Sequence, residues 1–200
     1  MTTSAPTDAI DRECMTRAIA AAARVRCITT PNPWVGAVLR TSGGDMYEGA
    51  TQEPGQPHAE VEALRAAGTA AAGATLYVTL EPCSHTGRTG PCVEAIIEAG
   101  VSRVVVGIED PDPQVAGSGL AALGAAGIEV TLGVQARKVR TQLAPYLKHR
   151  TTGRPWVVLK LAATLDGGTA APNGSSQWIT SPPARVDGHR LRAESDAILV

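Results

Sequence analysis

One imidazole and two thiols, His58, Cys83 and Cys92, stand in this 200-residue chain at positions suited to holding a metal. Three protein ligands leave the fourth corner of a tetrahedral zinc ion open to water, which is the arrangement of catalytic rather than structural sites. Glu60 follows His58 by two residues. A carboxylate there is close to the metal without being needed as a ligand. It can take a proton from water activated by the metal and pass it to a departing amine. The expected chemistry is therefore metal-assisted hydrolysis.

The elements around these residues are placed to position them. Glu53-Pro54-Gly55-Gln56-Pro57 is a breaker-rich run that leads into His58 and a helix ending near Gly68. Cys83 follows a strand over Ala74–Leu80, and Cys92 opens a helix over Pro91–Ala99. Helix N-termini carry partial positive charge and free N–H groups, which favour thiolate. His58-Ala59-Glu60, then Pro82-Cys83, then Cys92 matches the pattern of zinc nucleobase deaminases. The two cysteines depart from the usual C-x-x-C spacing, because eight residues from Ser84 to Pro91 separate them. That loop carries His85 and Arg88, which suit a phosphate group. The alternative for this pair is a solvated loop.

The rest of the chain reads as alternating helices and strands. Asp8–Cys27 is a helix with Thr7 or Asp8 as its cap, and Cys14 and Cys27 read as small buried hydrophobes on it. Strands over Trp34–Arg40 and Met46–Ala50 flank a hairpin turn at Ser42–Asp45. Val101–Ile108 is a strand covered on both faces, followed by a helix over Gly119–Ala126, a strand over Ile128–Leu132 and a helix over Val134–Lys148. This is an α/β protein, an α/β/α sandwich that closes near His149. Residues 150–155 are a linker by composition. Beyond it come strands over Trp156–Ala162 and Ser176–Thr180, a helix over Pro183–Ala193 and a strand from Asp196 to Val200.

Composition narrows the partners. Hydrophobic residues make up 44% of the chain and charged ones 18%, enough to bury a core, with six aromatic residues and no Phe. A formal net charge of −1 carries no basic signature for nucleic acid. No apolar run reaches the ~20 residues of a membrane span, and the polar, acidic start lacks the form of a signal peptide. The expectation is a soluble cytoplasmic homo-oligomer acting on a small molecule.

The segments TTPNPWVGAV, HAEVEAL, LYVTLEPCSHTGRTGPC and EDPDPQVAGSGL resemble the deaminase half of the bifunctional riboflavin-biosynthesis deaminase/reductase family. The resemblance runs from about Met15 to Val200. It implies a cytidine-deaminase-like three-layer fold for residues 1–149. The implied substrate is 2,5-diamino-6-(5-phosphoribosylamino)pyrimidin-4-one, whose 2-amino group is replaced by oxygen. His58, Cys83 and Cys92 match the family's zinc ligands, Glu60 its proton shuttle, Asn32 its substrate-contacting Asn, and His85 and Arg88 its phosphate-side residues. Gly90 stands where the motif usually has Pro, which loosens the loop without removing a ligand.

Residues 156–200 resemble the start of the family's dihydrofolate-reductase-like α/β reductase. By that resemblance Ala162 and Trp178 contact NADPH, while Ser176, Arg192 and Lys160 face the sugar phosphate. Trp178 read by residue type alone is equally a core anchor. Gly168 replaces a common Arg. The ~50 residues after the linker are too few for a whole reductase sheet. The expectation is a deaminase domain plus the opening of a reductase domain, with no reduction of the ribose by these residues alone. Two rival readings remain: another zinc deaminase, for tRNA adenosine or cytidine, and a non-catalytic zinc-stabilised interaction domain with His85 as fourth ligand.

Overall fold

Five strands make one sheet in the order β2-β1-β3-β4-β5: β1 (Gly36–Arg40), β2 (Met46–Ala50), β3 (Thr75–Leu80), β4 (Arg103–Ile108) and β5 (Glu129–Leu132). The chain is described here from a computed structural model that covers residues 9–87, 89–113 and 115–200. β1 runs antiparallel to both β2 and β3, and β3, β4 and β5 run parallel. Thr41, Gly44 and Asp45 close the β1–β2 hairpin, with Thr41 N–H donating to the Asp45 carbonyl at 2.9 Å. The parallel pairs need crossovers, supplied by α3 (Cys92–Glu98) and α4 (Ser118–Ala125).

Helices cover both faces. α1 (Ala9–Arg24) and α5 (Ala136–Gln142) pack on one side, and α2 (Ala59–Ala67), α3 and α4 on the other. Two glycines let the first two helices come close. Gly36 and Gly49 fall on opposite faces, because the register pairs Ala37 with Gly49. A Cβ on Gly36 would lie 1.9 Å from the Ala18 carbonyl oxygen of α1, and one on Gly49 would lie 2.1 Å from that of Ala59 in α2. Small side chains on the helices complete the fit, with Ala18, Ala21, Ala22, Ala59, Ala63 and Ala67 all buried. An aromatic-poor core is thus made by bringing backbones together rather than by filling space with rings. Val104, Val105 and Val106 are fully buried, as a strand covered on both faces requires.

The architecture agrees with the sequence reading, but several details differ. Helix α1 ends at Arg24, so Cys27 falls in the following turn and is exposed, while Cys14 is buried. The proposed caps Thr7 and Asp8 lie outside the described residues. The helix expected over Val134–Lys148 is two helices, α5 and α6 (Ala144–Thr152), broken at Leu143. Pro145 explains the break: it has no N–H to donate, and its ring clashes with the carbonyl four residues back.

The chain divides after Trp156 into two units. In the second, helix α7 (Pro182–Ala193) forms as expected. The strands expected over Trp156–Ala162, Ser176–Thr180 and Asp196–Val200 do not appear among the described residues. Extended segments count as strands only when a ladder partner takes up their N–H and C=O groups, and these have none. Their apolar side chains stay in solvent: Leu159 is 80% exposed and Leu199 fully so.

Candidate metal centre

Two helix starts and one strand end converge on the candidate ligands. His58 is the residue just before α2, with extended backbone (φ −78°, ψ 167°), and Cys92 is the first residue of α3. Cys83 lies three residues past the end of β3. His58 Nδ1 is 3.2 Å from Cys92 Sγ and 3.6 Å from Cys83 Sγ. The Cys92 backbone N–H donates to Cys83 Sγ at 3.4 Å. All three donor atoms lie within 4.8 Å of one another. Donors at tetrahedral corners around zinc are spaced by about 3.5–3.8 Å, so these residues fit that ion.

Electrostatics sharpen the division of labour. The Cys83 thiol is pushed down to about 4, first by the hydrogen bond from the Cys92 thiol and then by His58, with burial opposing. Cys92 is pushed up by the neighbouring Cys83 sulfur and by burial, so Cys83 is the first of the pair to ionise. A divalent cation favours thiolate at both. The hydrogen bond with Cys83 raises the His58 pKa against desolvation. Glu60, in the first turn of α2 and only 3% exposed, is pushed up to about 7 by burial and then by the charge of Cys83. A carboxyl group near neutrality accepts and releases protons with equal ease. Glu60 is not part of the ligand cluster.

The centre opens into a cleft with two lobes. One of about 310 Å³ is lined by Asn32, His58, Cys83, His85 and Thr89 among others. The second, of about 210 Å³, shares Asn32, His58, Cys83 and His85 and adds Glu60, Asp110, Asp112 and Tyr146. The structure therefore brings Asn32 and His85 to the cleft lined by Glu60 and by His58 and Cys83 of the candidate ligand cluster. Asn32 is held through its backbone N–H, which donates to the Thr29 carbonyl at 2.7 Å. Arg88 lies outside the described residues.

The sequence reading missed Glu81. Its buried carboxylate accepts four backbone N–H groups: Asp110 (3.2 Å) and Gly117 (3.0 Å) on one oxygen, Gly119 (2.9 Å) and Leu120 (3.2 Å) on the other. It caps α4 from outside the helix and ties the strand end that carries Cys83 to the loop opposite. An acid that ends the apolar run Tyr77–Leu80, just before Pro82-Cys83, was the available signal. Asp110 and Asp112 were also passed over within EDPDPQVAGSGL.

The residues expected to serve NADPH and the sugar phosphate lie in the second unit. Lys160, Ser176, Trp178 and Arg192 are exposed and Ala162 is half-buried. Trp178 is 70% exposed with the Arg185 guanidinium 4.2 Å above its ring, so it anchors no core among the described residues. Lys160 and Arg192 approach the same point on α7, within 3.6 Å and 3.9 Å of where a Cβ on Gly188 would sit.

Comparison with known proteins bears on the whole arrangement. Residues 8–108 match the family described as the cytidine and deoxycytidylate deaminase zinc-binding region, and residues 155–200 match the RibD C-terminal domain. The riboflavin biosynthesis protein RibD of Escherichia coli K12 is 54% identical over 189 residues, covering 94% of this chain and 52% of that protein. A solved structure of Acinetobacter baumannii RibD is 48% identical with a TM-score of 0.84, covering 92% of this chain and 52% of that one. A Thermotoga maritima diaminohydroxyphosphoribosylaminopyrimidine deaminase/5-amino-6-(5-phosphoribosylamino)uracil reductase is 41% identical with a TM-score of 0.85, covering 92% and 53%. The chain spans about half the length of the curated relatives it matches. The cytidine-deaminase-like fold read from the sequence is the observed one.

Proposed function

Because the chain belongs to the cytidine and deoxycytidylate deaminase zinc-binding family, we propose that its first unit is a zinc-dependent pyrimidine deaminase of riboflavin biosynthesis. The reaction is hydrolysis of 2,5-diamino-6-(5-phosphoribosylamino)pyrimidin-4-one to 5-amino-6-(5-phosphoribosylamino)uracil and ammonia. The observation that carries it is the convergence of His58, Cys83 and Cys92 beside a buried Glu60, at the head of a cleft also lined by Asn32 and His85. The RibD relatives that align along nearly the whole chain support the choice of substrate.

His58, Cys83 and Cys92 are the residues that would hold zinc, which supplies Lewis acidity and makes water acidic near neutral pH. Glu60 takes a proton from the attacking water as the oxygen adds to C2 of the pyrimidine. It then returns the proton to the ring nitrogen and moves the remaining proton of the added hydroxyl to the amine, so that the C2=O bond forms as the C2–N bond breaks with loss of ammonia. The burial that raises Glu60 toward neutrality suits it to both directions of transfer. Asn32 orients the base. His85 and Arg88, on the loop between the cysteines, hold the phosphate through charge-assisted hydrogen bonds.

Residues 1–149 form the deaminase domain in this reading, 150–155 a linker, and 156–200 the opening of the reductase domain. Ala162 and Trp178 serve NADPH, and Lys160, Ser176 and Arg192 the sugar phosphate. The match of residues 155–200 to the RibD C-terminal domain supports this assignment. The 200 residues are expected to deaminate without reducing the ribose, as cytoplasmic homo-oligomers. No helix among the described residues is long and apolar enough to cross a membrane. Incubating zinc-loaded protein with the diaminopyrimidine ribotide, with and without NADPH, tests the reading by mass spectrometry. Exchange of one amino group for oxygen supports it, and NADPH oxidation with the deaminated product would overturn the expectation that these residues do not reduce the ribose. Activity confined to cytidine or a tRNA adenosine would replace the substrate. Zinc binding without any turnover would leave an interaction domain.

A further inference from the structure

Two carboxylates, Asp110 and Asp112, line the lobe of the cleft that also holds Glu60 and His58. They sit on the loop after β4, which turns at Asp112, whose carbonyl accepts from the N–H groups of Val115 and Ala116 at 2.8 and 2.9 Å. Glu81 fixes that loop from below through the backbone N–H groups of Asp110 and Gly117. The side chains are gripped from elsewhere. The Tyr146 hydroxyl lies 3.0 Å from both Oδ1 and Oδ2 of Asp110 and donates to this carboxylate. One helical turn further along α6, Arg150 Nη1 pairs with Asp112 Oδ2 at 3.2 Å. The Arg150 guanidinium also lies over the Tyr146 ring, 5.4 Å from its centre, so the two side chains brace each other.

We propose that Tyr146 and Arg150 are positioning residues, which hold the Asp110 and Asp112 carboxylates of the cleft wall in the geometry that meets the substrate. The inference rests on the proposed deaminase reading. Its basis is spacing: residues four apart share a helix face, and each meets one of two carboxylates two residues apart on the loop. The Asp112 N–H closes the arrangement by donating to Asp110 Oδ1 at 3.0 Å. Asp110 is 6% exposed, so without Tyr146 its carboxylate would lose the one side-chain donor described for it inside the wall. Burial already pushes the Asp110 carboxyl upward, opposed by the Asp112 N–H and by Tyr146. The wall of a site assembled by the sheet thus depends on a helix that follows the last strand.

The test is steady-state kinetics of the zinc-loaded chain with the diaminopyrimidine ribotide, comparing wild type with Tyr146→Phe, Arg150→Gln and Arg150→Lys. Tyr146→Phe removes only a hydroxyl and leaves the ring that packs against the core and under Arg150. KM should rise roughly 10-fold, the size expected for one lost hydrogen bond to a charged group, with kcat and zinc content unchanged. Arg150→Gln should raise KM only about 2-fold because that pair is partly exposed, and Arg150→Lys should restore it. A purely structural role would lower zinc content and kcat together and leave no KM effect specific to the hydroxyl. An active wild type with unchanged KM in Tyr146→Phe, or a kcat loss with unchanged KM, would overturn the clamp alone. A wild type that does not turn over the ribotide would overturn the deaminase reading, and the clamp with it.

Discussion

The two units of this chain use similar sequence patterns and reach different ends. In the first, apolar runs such as Tyr77–Leu80 and Arg103–Ile108 become paired strands with helices on both faces. In the second, residues 157–161 are comparably apolar, yet Val157, Leu159 and Leu161 are 77%, 80% and 71% exposed. Propensity for a strand is the same in both. What differs is a ladder partner for the backbone and a helix to cover the side chains. The candidate sites follow that division: the tight, converging cluster is in the unit with a core, whereas Lys160, Ser176, Trp178 and Arg192 of the second unit are exposed.

Substitutions can break or sharpen this contrast. The largest effect is expected from Glu60→Gln, which should keep zinc by metal analysis and lower turnover by roughly 10²–10⁴-fold. Cys83→Ala should lose zinc and activity together, which separates ligand from proton carrier. Next in size, Leu76→Ala in β3 removes a fully buried side chain and should cost about 2–5 kcal/mol in urea unfolding.

A smaller effect, dependent on pH, comes from the clasp that holds α1 to the sheet. The buried Asp11 carboxylate accepts from both Arg103 Nη atoms at 2.9 Å and from the Tyr77 hydroxyl at 3.0 Å. Burial pushes this carboxyl up, but those bonds and the Arg103 charge outweigh it and hold it below the usual range. Because the folded pKa is depressed, its contribution is present above the ordinary carboxylate pKa and fades as pH falls below about 4. Asp11→Asn should therefore cost about 1–3 kcal/mol at pH 7 and much less at pH 3, measured as the gap between urea midpoints. Leu159→Ala in the second unit should change stability by no more than about 0.5 kcal/mol, since its side chain is already in water. A cost as large as that of Leu76→Ala would mean that Leu159 is covered in solution.

Much of the first unit was legible because its signals are local. Breakers mark the approach to His58, Gly68 ends α2, and Gly43–Gly44 mark the hairpin. The clustering of His58, Cys83 and Cys92 was legible for the same reason, since each of them sits at a junction between elements. The break at Leu143 could be read from Pro145, but the apolar period on either side of it outweighed that one residue. Glu81 was missed because its four partners lie 29 to 39 residues away, and no local pattern announces a backbone cradle. The strands of the second unit were overcalled because periodicity reports what a segment prefers, not whether a partner is there to pair with it.

The central claim is that the first unit alone carries the deamination, with Glu60 moving the proton beside a His58–Cys83–Cys92 zinc centre. The most direct measurement is mass spectrometry of the diaminopyrimidine ribotide after incubation with zinc-loaded wild type and Glu60→Gln. The account predicts exchange of one amino group for oxygen by the wild type, none above background by zinc-replete Glu60→Gln, and no reduction when NADPH is added. Near-normal exchange by zinc-replete Glu60→Gln, or no exchange by a zinc-replete wild type, would contradict it.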